Sequence, residues 1–120
     1  MSRLNAILER RDQRKKRLQS ALNSIVSQLP RMGSVKVVVF GSLATGDVDV
    51  NSDVDILAIM PGTRTGKEWS KLIYEDVNLG IASDIIVFNE TEFEKELPLN
   101  SFLRQIVKSG KVVYEKTGEG

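Results

Sequence analysis

Two short apolar runs, separated by only thirteen residues, constrain the fold more than any other feature of the chain. The first, Val35 to Phe40, is rich in β-branched residues and is fenced by Gly33-Ser34 and Gly41-Ser42. The second, Val54 to Met60, is stopped by Pro61-Gly62. Each has the length, the branching and the turn flanks of a buried strand. Asp53 and Asp55 open the second run. Alternate residues of a strand share a face, so these carboxylates point the same way, roughly 6.6 Å apart along the strand. Leu57 and Ile59 continue that face, and Ile56, Ala58 and Met60 line the other. With both faces apolar beyond the acids, the strand belongs in the middle of a covered sheet.

A third strand, Ser83 to Phe88, carries Asp84 near its start. Between it and the second lies Lys67 to Ile81, with Trp69, Leu72, Ile73, Val77 and Ile81 at helical spacing. A strand–helix–strand crossover makes the flanking strands parallel, so Asp84 starts at the same sheet edge as Asp53. For Ser42 at the end of the first strand to meet Asp53, the first strand must run antiparallel to the second. The expected fold is α/β (α+β): a mixed sheet of about four strands flanked by helices, with Ser42, Asp53, Asp55 and Asp84 along one edge.

The remaining elements complete one domain over residues 1–120, a length suited to a single core. A long helix over 3–29 ends near Pro30, and the core that carries the acids spans 33–90. Asn89 caps a short helix with Glu90 and Glu92 in its first turn and Phe93 and Leu97 on its apolar side. Pro98 breaks it. A second helix, Leu99 to Lys108, turns Phe102, Leu103, Ile106 and Val107 inward, and Lys111 to Glu115 forms an edge strand, so that helices and strand fill 90–116. The end from Thr117 to Gly120 reads as frayed.

The chemistry follows from the acids. Two carboxylates held at one strand end repel each other, and one tends to stay protonated unless a cation intervenes. Carboxylate oxygens suit Mg²⁺ or Mn²⁺, and the chain has neither His nor Cys to favour zinc. Gly41 lets backbone approach closely, and Ser42 with the N–H groups of a helical turn at Leu43–Thr45 suits a phosphate. Singly, each has a plain reading: solvated turn acids, a strand terminator, a surface strand start. Their joint placement on one edge argues for a site. A calcium loop is excluded. Asp47, Asp49, Asn51 and Asp53 alternate as its ligands do, but Ser52 stands where it needs Gly and Ala58 where it needs Glu.

Gly41-Ser42, then Gly46, then Ser52-Asp53-Val54-Asp55-Ile56-Leu57 resembles the signature of the DNA polymerase β-type nucleotidyltransferase superfamily. The small size resembles its minimal nucleotidyltransferase branch, often the antitoxin partner of a HEPN-domain ribonuclease. The resemblance covers roughly residues 33–90. It implies a nucleotidyltransferase fold in which Gly41 and Ser42 hold the triphosphate of ATP. It also implies that Asp53 and Asp55 bind two Mg²⁺ (or Mn²⁺) ions, and that Asp84 binds the catalytic metal and helps deprotonate the attacking hydroxyl. The implied reaction transfers AMP, with loss of pyrophosphate, to a macromolecular acceptor such as a tyrosine of a HEPN-type toxin. The competing reading is a module of the same fold that neutralises a partner by contact. It draws on one departure: Leu43 and Thr45 stand where many minimal members carry Arg.

A formal charge of +1 selects no partner, but the charge is unevenly placed. Arg10, Arg11, Arg14, Lys15, Lys16 and Arg17 interrupt an apolar stripe of Leu4, Ile7, Leu8, Leu18, Leu22, Ile25, Val26 and Leu29. This reads as solvated helix whose long stems shield apolar surface. Nucleic acid is disfavoured as a partner because no aromatic residues interleave for base stacking. Leu4, Ile7 and Leu8 offer a surface for a second subunit. Trp69 reads as packing, and the Gly62–Gly66 loop with Arg64 as a solvated turn. No apolar stretch approaches a membrane span or a signal peptide, and the absence of Cys fits a reducing cytosol, so the expected location is cytoplasmic.

Overall fold

The computed structural model describes residues 3–49, 52–77 and 83–117. In chain order the elements are α1 (Arg3–Gln28), a 3₁₀ turn (Pro30–Met32), β1 (Lys36–Phe40), α2 (Ser42–Thr45), β2 (Val54–Met60), α3 (Gly66–Asp76), β3 (Ser83–Asn89), α4 (Glu90–Glu96), α5 (Ser101–Ser109) and β4 (Lys111–Glu115). The four strands form one mixed sheet in the order β3-β2-β1-β4. β1 is antiparallel to both β2 and β4, and β2 is parallel to β3. β2 is therefore an inner strand, as its two apolar faces require, and the crossover through α3 sets its direction relative to β3.

The strand period of two sorts the core onto two faces. Val37, Val39, Ile56, Ala58, Met60 and Ile85 pack under α1 and α3, with Leu18, Leu22, Ile25, Trp69 and Ile73 descending on them. Val38, Leu57 and Ile59 pack on the other face, under Leu103 and Ile106 of α5 and against the partly buried Phe93 and Leu97 of α4. Trp69 is a packing residue: it is buried, and its indole N–H donates to the Pro61 carbonyl at 2.9 Å. The Arg64 guanidinium stands 5.6 Å from the centre of that ring, a cation–π contact at the end of β2 remote from the acids.

Capping chemistry sets the helix starts. Thr65 and Glu68 form a reciprocal capping box on α3, and Asn89 and Glu92 form another on α4. Asn89 also donates from Nδ2 to the Arg64 carbonyl at 2.9 Å, which ties the loop after β2 to the end of β3. Asn100 accepts from the Leu103 N–H, so α5 starts at Ser101 and not at Leu99.

Other expectations need correction. Phe102 and Val107 are exposed. A nine-residue helix on a thin core buries only a narrow stripe, here Leu103 and Ile106, and residues one position to either side are rotated about 100° away. α3 ends at Asp76, where Val77 is already extended, whereas the spacing carried it to Ile81; that residue and the rest of 78–82 lie outside the described residues. Val35 is not in β1 proper but adds one ladder bond, its N–H donating to the Ile59 carbonyl at 2.8 Å. Among the described residues, no helix is long and apolar enough to cross a membrane.

Candidate active site

β1 and β2 meet at one sheet edge because they are antiparallel neighbours: Phe40, the last residue of β1, is registered with Asp55, near the start of β2. On the other side of β2 the parallel register pairs Asp55 with Asp84. Asp55 thus sits between Phe40 and Asp84, on the same face as Leu57 and Ile59. Phe40 is held edge-on by Phe102 of α5, ring centres 6.1 Å apart, which closes the apolar cover just short of the carboxylates.

Gly41 then turns the chain. Its φ of 71° lies in the region that side chains disfavour, and a Cβ there would run into the Asp55 carboxylate. The backbone of the turn therefore lies directly against that carboxyl group. Ser42 opens α2, a single turn closed by the Gly46 N–H donating to the Ser42 carbonyl at 2.8 Å. Leu43 packs against the α1-side core, and the Thr45 hydroxyl donates to the Ser42 carbonyl at 3.3 Å.

The three acids differ in surroundings. Asp55 is partly buried, and its pKa is raised, first by burial and then by the charges of Asp84 and Asp53. Burial is the larger cause, and the mutual repulsion that carboxylates at one edge must feel adds to it. Asp84 is exposed. Asp53 lies just before β2, and its Oδ1 is 3.3 Å from Nη2 of Arg14. Arg14 also donates from Nε to the Ser52 carbonyl at 2.9 Å, and Arg11 from Nε to the Val48 carbonyl at 3.3 Å. The structure brings Gly41, Asp55 and Asp84 together and sets Asp53 beside them in contact with α1.

Arg11 and Arg14 are the residues that sequence reasoning missed. The basic stretch reads as solvated, and Arg10, Arg11, Lys15, Lys16 and Arg17 are exposed while Arg14 is half-buried. Arg11 and Arg14, however, reach the loop that carries Asp53. The signal was their phase: they precede Leu18 at three- and four-residue steps, on the stripe that buries Leu18, Leu22 and Ile25.

The donor set suits a hard cation, being all carboxylate oxygen. Among the described residues, no three acids gather tightly enough to enclose an ion by themselves. That is compatible with Mg²⁺, which is commonly bound through one or two carboxylates and completed by water and substrate phosphate.

A family described as the nucleotidyltransferase domain matches residues 19–113. The chain belongs to that family. It is 38% identical over 52 residues to a candidate protein adenylyltransferase from Methanocaldococcus jannaschii, a match that takes in 43% of this chain. The aligned part is about half (52%) of that relative's length. The crystal structure of a candidate nucleotidyltransferase from Sulfolobus solfataricus superposes with a TM-score of 0.54, covering 93% of this chain and 89% of that one at 21% identity. That likeness establishes the shared fold.

Proposed function

We propose that the chain is a Mg²⁺- or Mn²⁺-dependent nucleotidyltransferase that moves AMP from ATP onto a hydroxyl of a macromolecular acceptor, a tyrosine of a HEPN-type partner. The observation that carries this reading is the register of Asp55 with Asp84 beside a glycine turn that admits no side chain against Asp55. The acceptor oxygen forms a bond to the α-phosphorus, the bond from that phosphorus to the bridging oxygen breaks, and pyrophosphate leaves. The acceptor's proton passes to Asp84, whose exposure leaves it open to an incoming hydroxyl. The Gly41–Ser42 backbone supports the phosphate chain. Asp53, Asp55 and Asp84 would hold the metal ions, which when bound offset charge on the attacking and leaving oxygens.

Labelled ATP, Mg²⁺ and the partner protein test the reading. Label should appear on the partner, and Asp55→Asn or Asp53→Asn should remove it by about three orders of magnitude, the scale of several kcal/mol of transition-state stabilisation. A variant that is barely slower refutes the assigned roles. The second reading, a module that neutralises its partner by contact, is favoured by Leu43 packing into the core where a cation could face phosphate. It predicts that the Asp53→Asn/Asp55→Asn double variant still neutralises the partner fully.

A further inference from the structure

Residues 40–55 contain four aspartates and neither Lys nor Arg. A nucleoside triphosphate brought to this edge would meet negative charge from Asp53, Asp55 and Asp84, and no cation from the turn that is to hold it. The nearest guanidinium in contact with the cluster comes from α1. Arg14 is 39 residues away in sequence from Asp53 and precedes the family-matched segment that begins at residue 19.

We propose that Arg14 is a binding residue for the phosphate chain of the nucleotide, resting on Asp53 until a nucleotide arrives. The inference rests on the nucleotidyltransferase reading. A guanidinium carries five N–H donors in a planar fork matched to phosphate oxygens, and the two bonds seen here use only Nε and one hydrogen of Nη2. The Nε bond to the Ser52 carbonyl, at 2.9 Å, is the shorter of the two and fixes the plane of the group at the site. The Nη2 contact to Asp53 is long, 3.3 Å, and the Asp53 side chain is 46% exposed. Arg14 itself is 20% exposed, so the pair is long and partly solvated, and exchanging the carboxylate for a phosphate of the same sign keeps the guanidinium paired at little cost. Asp53 would then be free to hold a metal ion while Arg14 stays on the nucleotide. Arg11, one turn earlier, holds the Val48 carbonyl and keeps α1 seated on the loop throughout.

The test is calorimetric binding to the full chain in Mg²⁺, using α,β-methylene-ATP, which cannot be cleaved at the reacting bond, with AMP as the second probe. Arg14→Gln should weaken the triphosphate analogue by at least about tenfold, the scale of one charge-assisted bond, and leave AMP affinity within twofold. Arg14→Lys keeps the charge but loses the fork and should fall between. Lys16→Gln, the same charge change on the solvated side of α1, should bind both probes as the parent does. If Arg14→Gln does not fold, the Lys variant decides alone, and it must lose analogue affinity with AMP unchanged. Equal analogue affinity in parent and Arg14 variants overturns the proposal and leaves the nucleotidyltransferase reading standing. Equal losses for analogue and AMP also overturn it, since Arg14 would then act only by holding the Asp53 loop. A parent chain that binds neither probe overturns both.

Discussion

On the side of the sheet under α1 and α3, seventeen of the described residues are buried in one cluster; on the side under α4 and α5, five are. Both sides share β1 and β2, so the strands themselves do not explain the difference. The covers do. α1 lays Leu18, Ala21, Leu22 and Ile25 along its face of the sheet, whereas α5 offers Leu103 and Ile106 and stops. Beyond Phe40 and Phe102 the thin side is open to water, and there Asp55 and Asp84 stand. Carboxylates under a closed apolar layer would pay heavily for desolvation. A sheet that must hold several of them needs one face whose cover ends early, and the deep face opposite supplies the stability that the thin one gives up.

The largest effect that would sharpen this contrast comes from one substitution made on each face. Leu18→Ala and Leu103→Ala remove the same side chain from sites that are both essentially inaccessible. In urea melts Leu18→Ala should cost about 4 kcal/mol and Leu103→Ala about 2 to 3, since the thin layer collapses more readily onto the gap. Equal losses would mean that the two faces are built alike.

A smaller loss is expected from Asn89→Ala. It removes the α4 cap and the bond to the Arg64 carbonyl, and should lower stability by about 1 to 2 kcal/mol. No change would show that the thin side does not depend on its cap.

The smallest effect has the opposite sign. Because the Asp55 pKa is raised in the folded state, the fold binds that proton more tightly than the unfolded chain does. The associated stability is complete below the ordinary value of 3.8 and is lost as pH rises through the raised one. At pH 7 the ionised group therefore opposes folding. Asp55→Asn should raise the melting temperature of the metal-free protein there by a few degrees, no more than about 1 kcal/mol given its contact with water. The gain should vanish on acidification below pH 3.8. A variant that melts lower than the parent at pH 7 would show that the acids are not in conflict.

Much of this architecture was legible in local patterns. Alternation placed Leu57 with Ile59 and Ile56 with Ala58, and the sheet puts those pairs on opposite faces. The crossover logic made β3 parallel to β2, which brings Asp84 to Asp55. Asn89 read as a cap from its residue type and the acids after it, and the structure adds the reciprocal bond with Glu92. The misreadings have a common cause. Phe102 and Val107 satisfy an apolar helical pattern as well as Leu103 and Ile106 do, and only the width of the surface beneath α5 chooses between them. Arg11 and Arg14 are polar in a stripe of apolar positions, and composition alone assigns them to solvent.

The amino-acid order by itself determined the strands, the relative directions of β1, β2 and β3, the Asn89 cap and the gathering of acids at one sheet edge, because each depends on periodicity or on neighbours a few residues apart. Only the tertiary structure decided that α1 crosses the loop before β2, that Arg14 reaches Asp53, and that burial opposes the ionisation of Asp55. These are through-space electrostatic and packing terms between residues tens of positions apart, and they take their values only once the helix is seated on the sheet.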